Sequence, residues 1–347
     1  MSASPLDALR SALLRYAVLP SPEALDATVL WTVATHAQGC WNTATRLVIT
    51  APEKRCGKSR LMDVIEATCH HPLMSVNISP AALVRSIGAE PPTLLIDEAD
   101  TVFKRGGGNE PLRGILNAGH QRNRPYIRWQ GNMREDVPTF AMAAIAGIGD
   151  MPDTVMDRAV VVRMRRRRAD EHVSPFRIGR DDVALHALRE EIAEWTVKHA
   201  DELAVADPRL PVEDRAADNW APLVAIADAE GGDWPRRARK AAITLTAQQD
   251  EEATSGSVGT LLLRDLRTLF GSEAFLSTAA ILAMLAESDE GPWSDLALTS
   301  RGLSDLLRPY GITPSSTGQE RGYRRSAFAD AWARYLPTDG LTVLTGE

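Results

Sequence analysis

The segment Arg46-Leu-Val-Ile-Thr-Ala-Pro-Glu-Lys-Arg-Cys-Gly-Lys-Ser59 constrains the fold more than any other stretch of this chain. Arg46–Thr50 reads as a short apolar strand, and Gly57-Lys58-Ser59 opens a helix whose apolar positions include Leu61, Val64 and Ile65. Strand, loop and helix in that order turn backbone N–H groups inward at a helix N-terminus, which is the geometry of a phosphate cradle. Such a cradle needs a Lys that reaches the β- and γ-phosphates and a hydroxyl that ligates Mg²⁺. Lys58 and Ser59 stand at those places. The expected phosphate-binding set is therefore Pro52, Glu53, Lys54, Arg55, Cys56, Gly57, Lys58, Ser59 and Arg60. One position departs from the motif: Pro52 stands where its first Gly belongs.

A second motif follows some 40 residues on. Leu94-Leu-Ile-Asp-Glu-Ala-Asp100 is a Leu-rich run ending in Asp97-Glu98. The run suits a central parallel strand buried on both faces. Carboxylates at its C-terminal end would sit in the crevice where α/β sheets bind ligands. Asp97 would hold Mg²⁺ through water, and Glu98 would polarise the attacking water. Either motif alone is a weak signal. Against the pair in order stands the plainer reading, an ordinary strand running into an acid-capped helix.

The chain has 347 residues, room for two or three domains. With 44% hydrophobic and 24% charged residues its composition is that of a globular protein, and no apolar run is long enough to span a membrane. The N-terminus lacks the basic-then-apolar order of a secretion signal. Cys40, Cys56 and Cys69 have no metal-ligand spacing, which points to a reducing cytoplasm. Cys56 reads as a small side chain tolerated in the loop rather than a redox control, since no resolving Cys is evident. The net charge of −7 confines any nucleic-acid contact to local patches, or to a ring that concentrates them.

Residues 5–17 and 22–36 read as helices. Strand and helix then alternate: Arg46–Thr50, the helix from Lys58, Ser75–Ile78, the helix from Pro80, and Thr93–Asp97. After the Gly106-Gly-Gly108 loop come a helix through Asn117 and the strands Thr139–Ala146 and Ala159–Met164, the pattern of a parallel sheet wrapped by helices. Asp181–Ala204, Asp214–Glu230 and Trp234–Gln249 form an all-helical lid. Thr254–Gly259 is the best linker by composition. The last unit resembles a winged helix: helices at 258–270, 278–287 (capped by Ser277) and 299–309, strands at 312–316 and 322–325 about a Ser-Thr-Gly turn, and a final helix 326–336. The expected domains are 1–45, 46–170, 171–255 and 256–347.

The order of motifs resembles the AAA+ P-loop ATPases, and more narrowly the uncharacterised ATPase domains of primase–helicase proteins of phages and mobile elements. Besides the two motifs above, the resemblance rests on Leu30-Trp31, Ile115-Leu-Asn-Ala-Gly-His120, Ile145-Ala-Gly-Ile-Gly149, Pro152–Arg158, Gly231-Gly-Asp-Trp-Pro235 and Leu306-Leu-Arg-Pro-Tyr-Gly311. It implies an α/β fold of P-loop NTPase (AAA+-like) type: a parallel sheet with a helical lid and a C-terminal winged-helix-like domain. It implies ATP and Mg²⁺ as cofactors, and a homo-oligomeric ring acting on DNA as a helicase or translocase, with a primase or helicase as a further partner. The resemblance offers Arg158 as an arginine finger for a neighbouring subunit's nucleotide, and Arg236 or Arg239 as the lid arginine that senses the γ-phosphate. The sensor position departs from the family pattern: Ala146-Gly-Ile-Gly149 has no polar side chain, so either His120 or Asp150 replaces it or hydrolysis is slow. Candidate nucleic-acid contacts are Arg128, Trp129 and Arg134 in a hairpin that some relatives direct into the ring pore. The dense run Arg163 and Arg165–Arg168, and Arg301, Arg308, Arg324 and Arg325 of the winged-helix unit, are further candidates. Two alternatives stay open: a nucleotide switch that loads a helicase, and a DNA-binding initiator whose ATP site controls oligomerisation.

Overall fold

The computed structural model describes residues 4–75, 79–88, 90–103, 110–149, 151–256, 258–287, 291–294, 296–316 and 320–336. The chain divides into two compact units, residues 1–247 and 248–347.

The first unit opens with two helices, α1 (Pro5–Tyr16) and α2 (Pro22–His36). Each begins at a Ser-Pro pair: the Ser4 and Ser21 hydroxyls accept from Asp7 N and Ala24 N, and Pro occupies the first helical turn, where its missing N–H costs nothing. From Ala24 to Thr35 every residue of α2 is buried, so it is a core helix. The α/β body follows as β1 (Arg46–Ala51), α3 (Lys58–Thr68), β2 (Pro72–Ser75), α4 (Pro80–Ser86), β3 (Thr93–Ile96), α5 (Ala99–Val102) and α6 (Glu110–Ala118). The hairpin β4 (Tyr126–Gln130) and β5 (Met133–Val137) leads into β6 (Ala143–Ile148), α7 (Asp153–Met156) and β7 (Ala159–Arg163). Four helices complete the order: α8 (Asp182–Lys198), α9 (Ala200–Ala204), α10 (Asp214–Glu230) and α11 (Trp234–Gly256).

The main sheet has the order β2-β3-β6-β1-β7 and is parallel throughout. Side chains alternate between its faces with a period of two. On one face Leu47, Ile49, Leu95, Ala144, Ala146, Val160 and Val162 join a core built with α1, α2, α3, α8, α10 and α11. On the other, Val48, Leu94, Ile96, Ala143, Ile145, Ala159 and Val161 pack with α4, α6 and α7. Burial on both faces explains why these strands read as continuous apolar runs. The helices expected as a lid therefore share one core with the sheet as far as Leu245.

The second unit is α12 (Val258–Phe270), β8 (Phe275–Ser277), α13 (Thr278–Ala286), α14 (Ser300–Leu307), β9 (Ser315–Ser316), β10 (Arg321–Arg324) and α15 (Ala329–Tyr335). Its antiparallel sheet has the order β8-β10-β9. Phe270, Trp293, Tyr323 and Phe328 are fully enclosed in its own core. Ser277 caps α13, accepting from Ala280 N at 3.2 Å.

Several boundaries differ from the sequence reading. The second strand ends at Ser75 instead of starting there, because Pro72 can open a strand and His71 turns with φ 37°; residues 76–78 lie outside the described residues, as does the Gly106–Gly108 loop. The fourth sheet strand starts at Ala143 rather than Thr139. The helix expected over 181–204 breaks at His199, whose ring stacks on Trp195 and bonds to the Trp195 carbonyl. The expected linker is largely helix: Thr254–Gly256 extend α11, and Val258 and Gly259 open α12. Gly259 serves packing, since a Cβ there would meet the Tyr310 hydroxyl at 2.4 Å.

Two buried histidines predict how stability varies with pH. Burial, assisted by the Arg46 charge, pushes His120 down to about 3, and burial pushes His36 down to about 4. In the unfolded chain both protonate near pH 6.5. The unfolded chain therefore takes up protons first, and stability present above pH 6.5 is lost as pH falls toward 4. The melting temperature should stay level above pH 6.5 and drop between 6.5 and 4.5. His36→Gln with His120→Gln should flatten that drop; an unchanged slope in the double variant contradicts this account.

Candidate phosphate-binding site

β1 is interior to the sheet, flanked by β6 and β7, so its C-terminal end marks a point where successive crossovers leave in opposite directions. The chain leaves it through an exposed loop in which Arg55 (φ 66°) and Gly57 (φ 85°) are left-handed. Gly57 fits that conformation without strain; a side chain would not. It is also the N-cap of α3 and offers no side chain, so no cap occupies the first N–H groups of the helix. Such donors, with the positive end of the helix dipole, are of the kind that suits an anion. Lys58 is 9% exposed and Ser59 is exposed. Cys56 is buried beneath the loop in the first core. Glu53 pairs with Arg166 at 3.3 Å. Arg60 turns aside: it lies 5.0 Å over the Phe176 ring, donates to the Phe176 carbonyl and pairs with Asp63. Pro52, Glu53 and Lys54 are exposed.

β3 ends one strand away, across β6, which sets Asp97 and Glu98 on the order of 10 Å laterally from the β1 end. The Asp97 carboxylate accepts from Glu98 N at 2.8 Å. Glu98 is exposed and held at φ 55°, a conformation that costs a non-glycine residue ~1 kcal/mol or more. Asp63, one turn beyond Ser59, is held above the ordinary carboxylate range mainly by burial, with the Asp97 charge adding to it. Ser59, Asp63 and Asp97 thus supply hard oxygens and surplus negative charge, a fit to Mg²⁺, which takes few protein ligands beside substrate phosphates. Among the described residues there is no group of three or more His, Cys, Asp or Glu side chains placed to hold a metal ion.

Between the two motifs lies the end of β6, where Gly147 has a packing reason. A Cβ there would stand 2.2 Å from Met151 Cε and 3.1 Å from Asp100 N. Asp100 in turn accepts from Ile148 N at 3.2 Å, and the Thr50 hydroxyl donates to Gly149 O. Asp150 lies outside the described residues. His120 does not replace a polar sensor: its ring bonds to the carbonyl of Ala44, which precedes β1, so it sits at the opposite end of the sheet. Its position at the end of α6 carried the chain back to the start of the strands.

A cavity of about 440 Å³ adjoins the loop, lined by Arg55, Cys56, Gly57 and Arg60 together with Tyr16–Val18, Arg165, Arg167 and Val173–Phe176. Tyr16 and Phe176 meet edge to face at 5.1 Å, and the lining has no carboxylate. No motif in the sequence announces this cavity, because its walls come from segments some 40 and 110 residues away from the loop.

The remaining candidates are scattered. Arg158 precedes β7 and donates to Thr154 O at 2.6 Å; its backbone carbonyl accepts from Arg46 N, so it too lies at the N-terminal end of the sheet. Arg236 pairs with Asp233, and Arg239 is held by both oxygens of Asp228; neither lines the cavity beside the loop. Arg128 and Arg134 are each engaged within the hairpin, by Glu135 at 2.6 Å and Asp136 at 2.7 Å, while Trp129 is 68% exposed. Arg165 donates to Pro20 O, and Arg168 pairs with Asp170. In the second unit Arg301 and Arg308 share Asp305, Arg324 is exposed and Arg325 lies over Trp332. One buried residue escaped sequence reading altogether. Arg46, 2% exposed, donates to the carbonyls of Ala141 and Leu116, and burial brings it down to about 9.

Fold and site define an α/β protein with a parallel five-stranded sheet and a loop-to-helix turn at the end of an interior strand. The Uncharacterized 28.9 kDa protein in the xis 5′ region of Saccharopolyspora erythraea is 43% identical over 183 residues, covering 50% of this chain and 69% of that one. The chain belongs to the same family as that protein. A family model described as "Protein of unknown function (DUF3631)" matches residues 163–335, so residues 52–60 lie outside its match. Two apo structures of the NrS-1 C-terminal region (305–718) align with 12% identity. Their TM-scores are 0.46 and 0.42, with 93% and 92% of this chain and 78% and 74% of theirs covered. At those scores the likeness carries no functional weight. Among the described residues no helix is long and apolar enough to cross a membrane.

The packing at Gly147 generates a test. Gly147→Ala should destabilise the first unit by about 1–3 kcal/mol through overpacking. Adding Met151→Ala should recover part of the loss, because the shortest clash is with the Met151 methyl. A wild-type melting temperature for Gly147→Ala would contradict the packing role.

Proposed function

We propose that this chain is a Mg²⁺-dependent ATP hydrolase of AAA+ type. The observation that supports it best is the convergence, at one edge of the sheet, of the uncapped start of α3 with the Asp97–Glu98 pair held in a strained turn. The loop N–H groups and Lys58 hold the β- and γ-phosphates, and the nucleoside occupies the cavity between Tyr16, Phe176 and Arg60. Ser59 and Asp97 hold Mg²⁺, which when bound neutralises charge on the phosphate oxygens. Glu98 orients the attacking water and accepts its proton. Little further covalent chemistry is asked of the protein, since positioning and charge stabilisation supply most of the rate in phosphoryl transfer. Arg158, at the opposite end of the sheet from this loop, acts on the nucleotide of a neighbouring copy. DNA handling in replication, as a ring-forming helicase or as a loader, is the task this chemistry serves.

Turnover of ATP with and without single-stranded DNA tests this reading. Glu98→Gln should lower turnover at least 100-fold while nucleotide affinity stays within a few-fold of wild type. Strand-stimulated turnover in the wild type favours the motor, and turnover indifferent to DNA favours the loader. Full turnover in Glu98→Gln would remove Glu98 from the chemistry.

We also infer that the second unit is a winged helix that binds duplex DNA. Its helix–strand–helix–helix–strand–strand order supports this, as do Arg301 and Arg308, 93% and 75% exposed and sharing the single carboxylate of Asp305. Backbone contacts of this kind are lost with salt. Arg301→Ala and Arg308→Ala should each weaken duplex binding across sequences and reduce the salt slope by about 1. An unchanged slope would point to a protein-docking unit instead.

A further inference from the structure

The basic run that leaves β7 is sorted by what its side chains meet. Met164 N donates to Thr50 O, so the chain parts from the sheet beside the end of β1. The Met164 methyl lies 3.5 Å from where a Cβ on Gly57 would stand, which holds the run against the loop. Arg165 and Arg167 then line the cavity beside the loop, whereas Arg166 and Arg168 do not. That alternation is the period of two of an extended chain. The two arginines outside the cavity are neutralised, Arg166 by Glu53 at 3.3 Å and Arg168 by Asp170 at 3.2 Å. The two inside it have no carboxylate partner among the described residues. Arg165 donates to the Pro20 carbonyl at 2.8 Å, which uses a donor and leaves the charge. Arg55, on the loop, is a third lining cation of the same kind, while Arg60 is answered by Asp63.

These charges exceed what a plain nucleotide needs. Its phosphates lie on the loop, and a nucleoside beside Tyr16 and Phe176 is neutral, so it gives Arg165 and Arg167 nothing to bind. In a chain of net charge −7, guanidiniums left unpaired on a concave wall draw an anion. Their forked donors match the oxygens of a phosphate. Another part of the wall is fixed in place, because Ser174 N donates to Arg15 O at 2.8 Å and ties residues 173–176 to the end of α1. A cavity of about 440 Å³ is of the size that takes one small molecule rather than a chain. The Tyr16–Phe176 pair beside the cations suits a ligand that has both a flat apolar part and a second anionic group. An arginine beside the ribose accommodates a 2′-phosphate in this way in dinucleotide sites.

We infer that this cavity selects a nucleotide phosphorylated on its ribose as well as at the 5′ position. The 5′-phosphate lies on the loop, the base beside Tyr16 and Phe176, and the ribose 2′- or 3′-phosphate on Arg165 and Arg167. Such a ligand competes with ATP for the loop. This rests on the phosphate-site reading above.

The test is calorimetric titration of the full-length protein with ATP, adenosine 5′-monophosphate, adenosine 3′,5′-bisphosphate and adenosine 2′,5′-bisphosphate. One bisphosphate should bind at least about ten-fold tighter than the monophosphate, the scale of one hydrogen bond to a charged group, and should compete with ATP. Which of the two binds tighter tells which hydroxyl carries the group. Arg165→Ala with Arg167→Ala should bring that preference within two-fold of none. Arg166→Ala with Arg168→Ala, which removes the same charge from the same run, should keep it. Bisphosphates that bind no tighter than the monophosphate, or not at all, overturn the inference. So does a preference that both double variants lose alike, since it would then come from charge in general. A single-stranded oligonucleotide that needs Arg165 and Arg167, with no gain for either bisphosphate, overturns it in favour of a strand. Absence of ATP binding by the wild type would instead overturn the phosphate-site reading, and this inference with it.

Discussion

The six residues of β1 are the element on which the rest depends. They are buried on both faces and pair with β6 and β7, so neither end of the strand can shift without moving the centre of the sheet. At the C-terminal end this rigidity presents the left-handed Gly57 and the open start of α3; at the N-terminal end it fixes Arg46 against the carbonyls of Ala141 and Leu116. A single strand thus sets the two charged ends of the unit at a constant separation. Rigid strands are better platforms for such geometry than loops, because phosphate chemistry tolerates little misplacement.

Burial decides how the ionisable groups behave. Arg46 has carbonyls rather than a carboxylate as partners, an arrangement tolerable because Leu116 lies in the last turn of α6, where helix carbonyls are unsatisfied. His120 beside it is kept neutral by the same lack of water. The phosphate-loop edge is the reverse: exposed, acidic at Asp97 and Glu98, and strained at Glu98. Strain kept at an exposed, acidic edge is the distribution expected of a functional edge.

Much of this was legible in the sequence, for local reasons. Residues 5–17 and 22–36 read as helices, the apolar runs announced β1 and β3, and Gly-Lys-Ser announced the start of α3, each signal lying within one element. What stayed hidden was tertiary. Nothing near Gly147 signals that Met151 and Asp100 close over it, and nothing near Phe176 signals that it walls a cavity with Tyr16. Thr254–Gly259 looked like a linker from composition alone, yet Gly259 is small because Tyr310, some 50 residues on, packs against it. His120 was a polar residue at the right distance in sequence and the wrong end of a strand.

Amide hydrogen exchange with and without Mg²⁺-ATP tests the central claim most directly, because it reports where a nucleotide acts without requiring turnover. The account predicts protection concentrated in residues 52–60, with a smaller effect at 97–98 and along 173–176. Its absence in Lys58→Ala should accompany that pattern. Protection elsewhere on the first unit, or none at saturating nucleotide, would contradict a phosphate site at the end of β1.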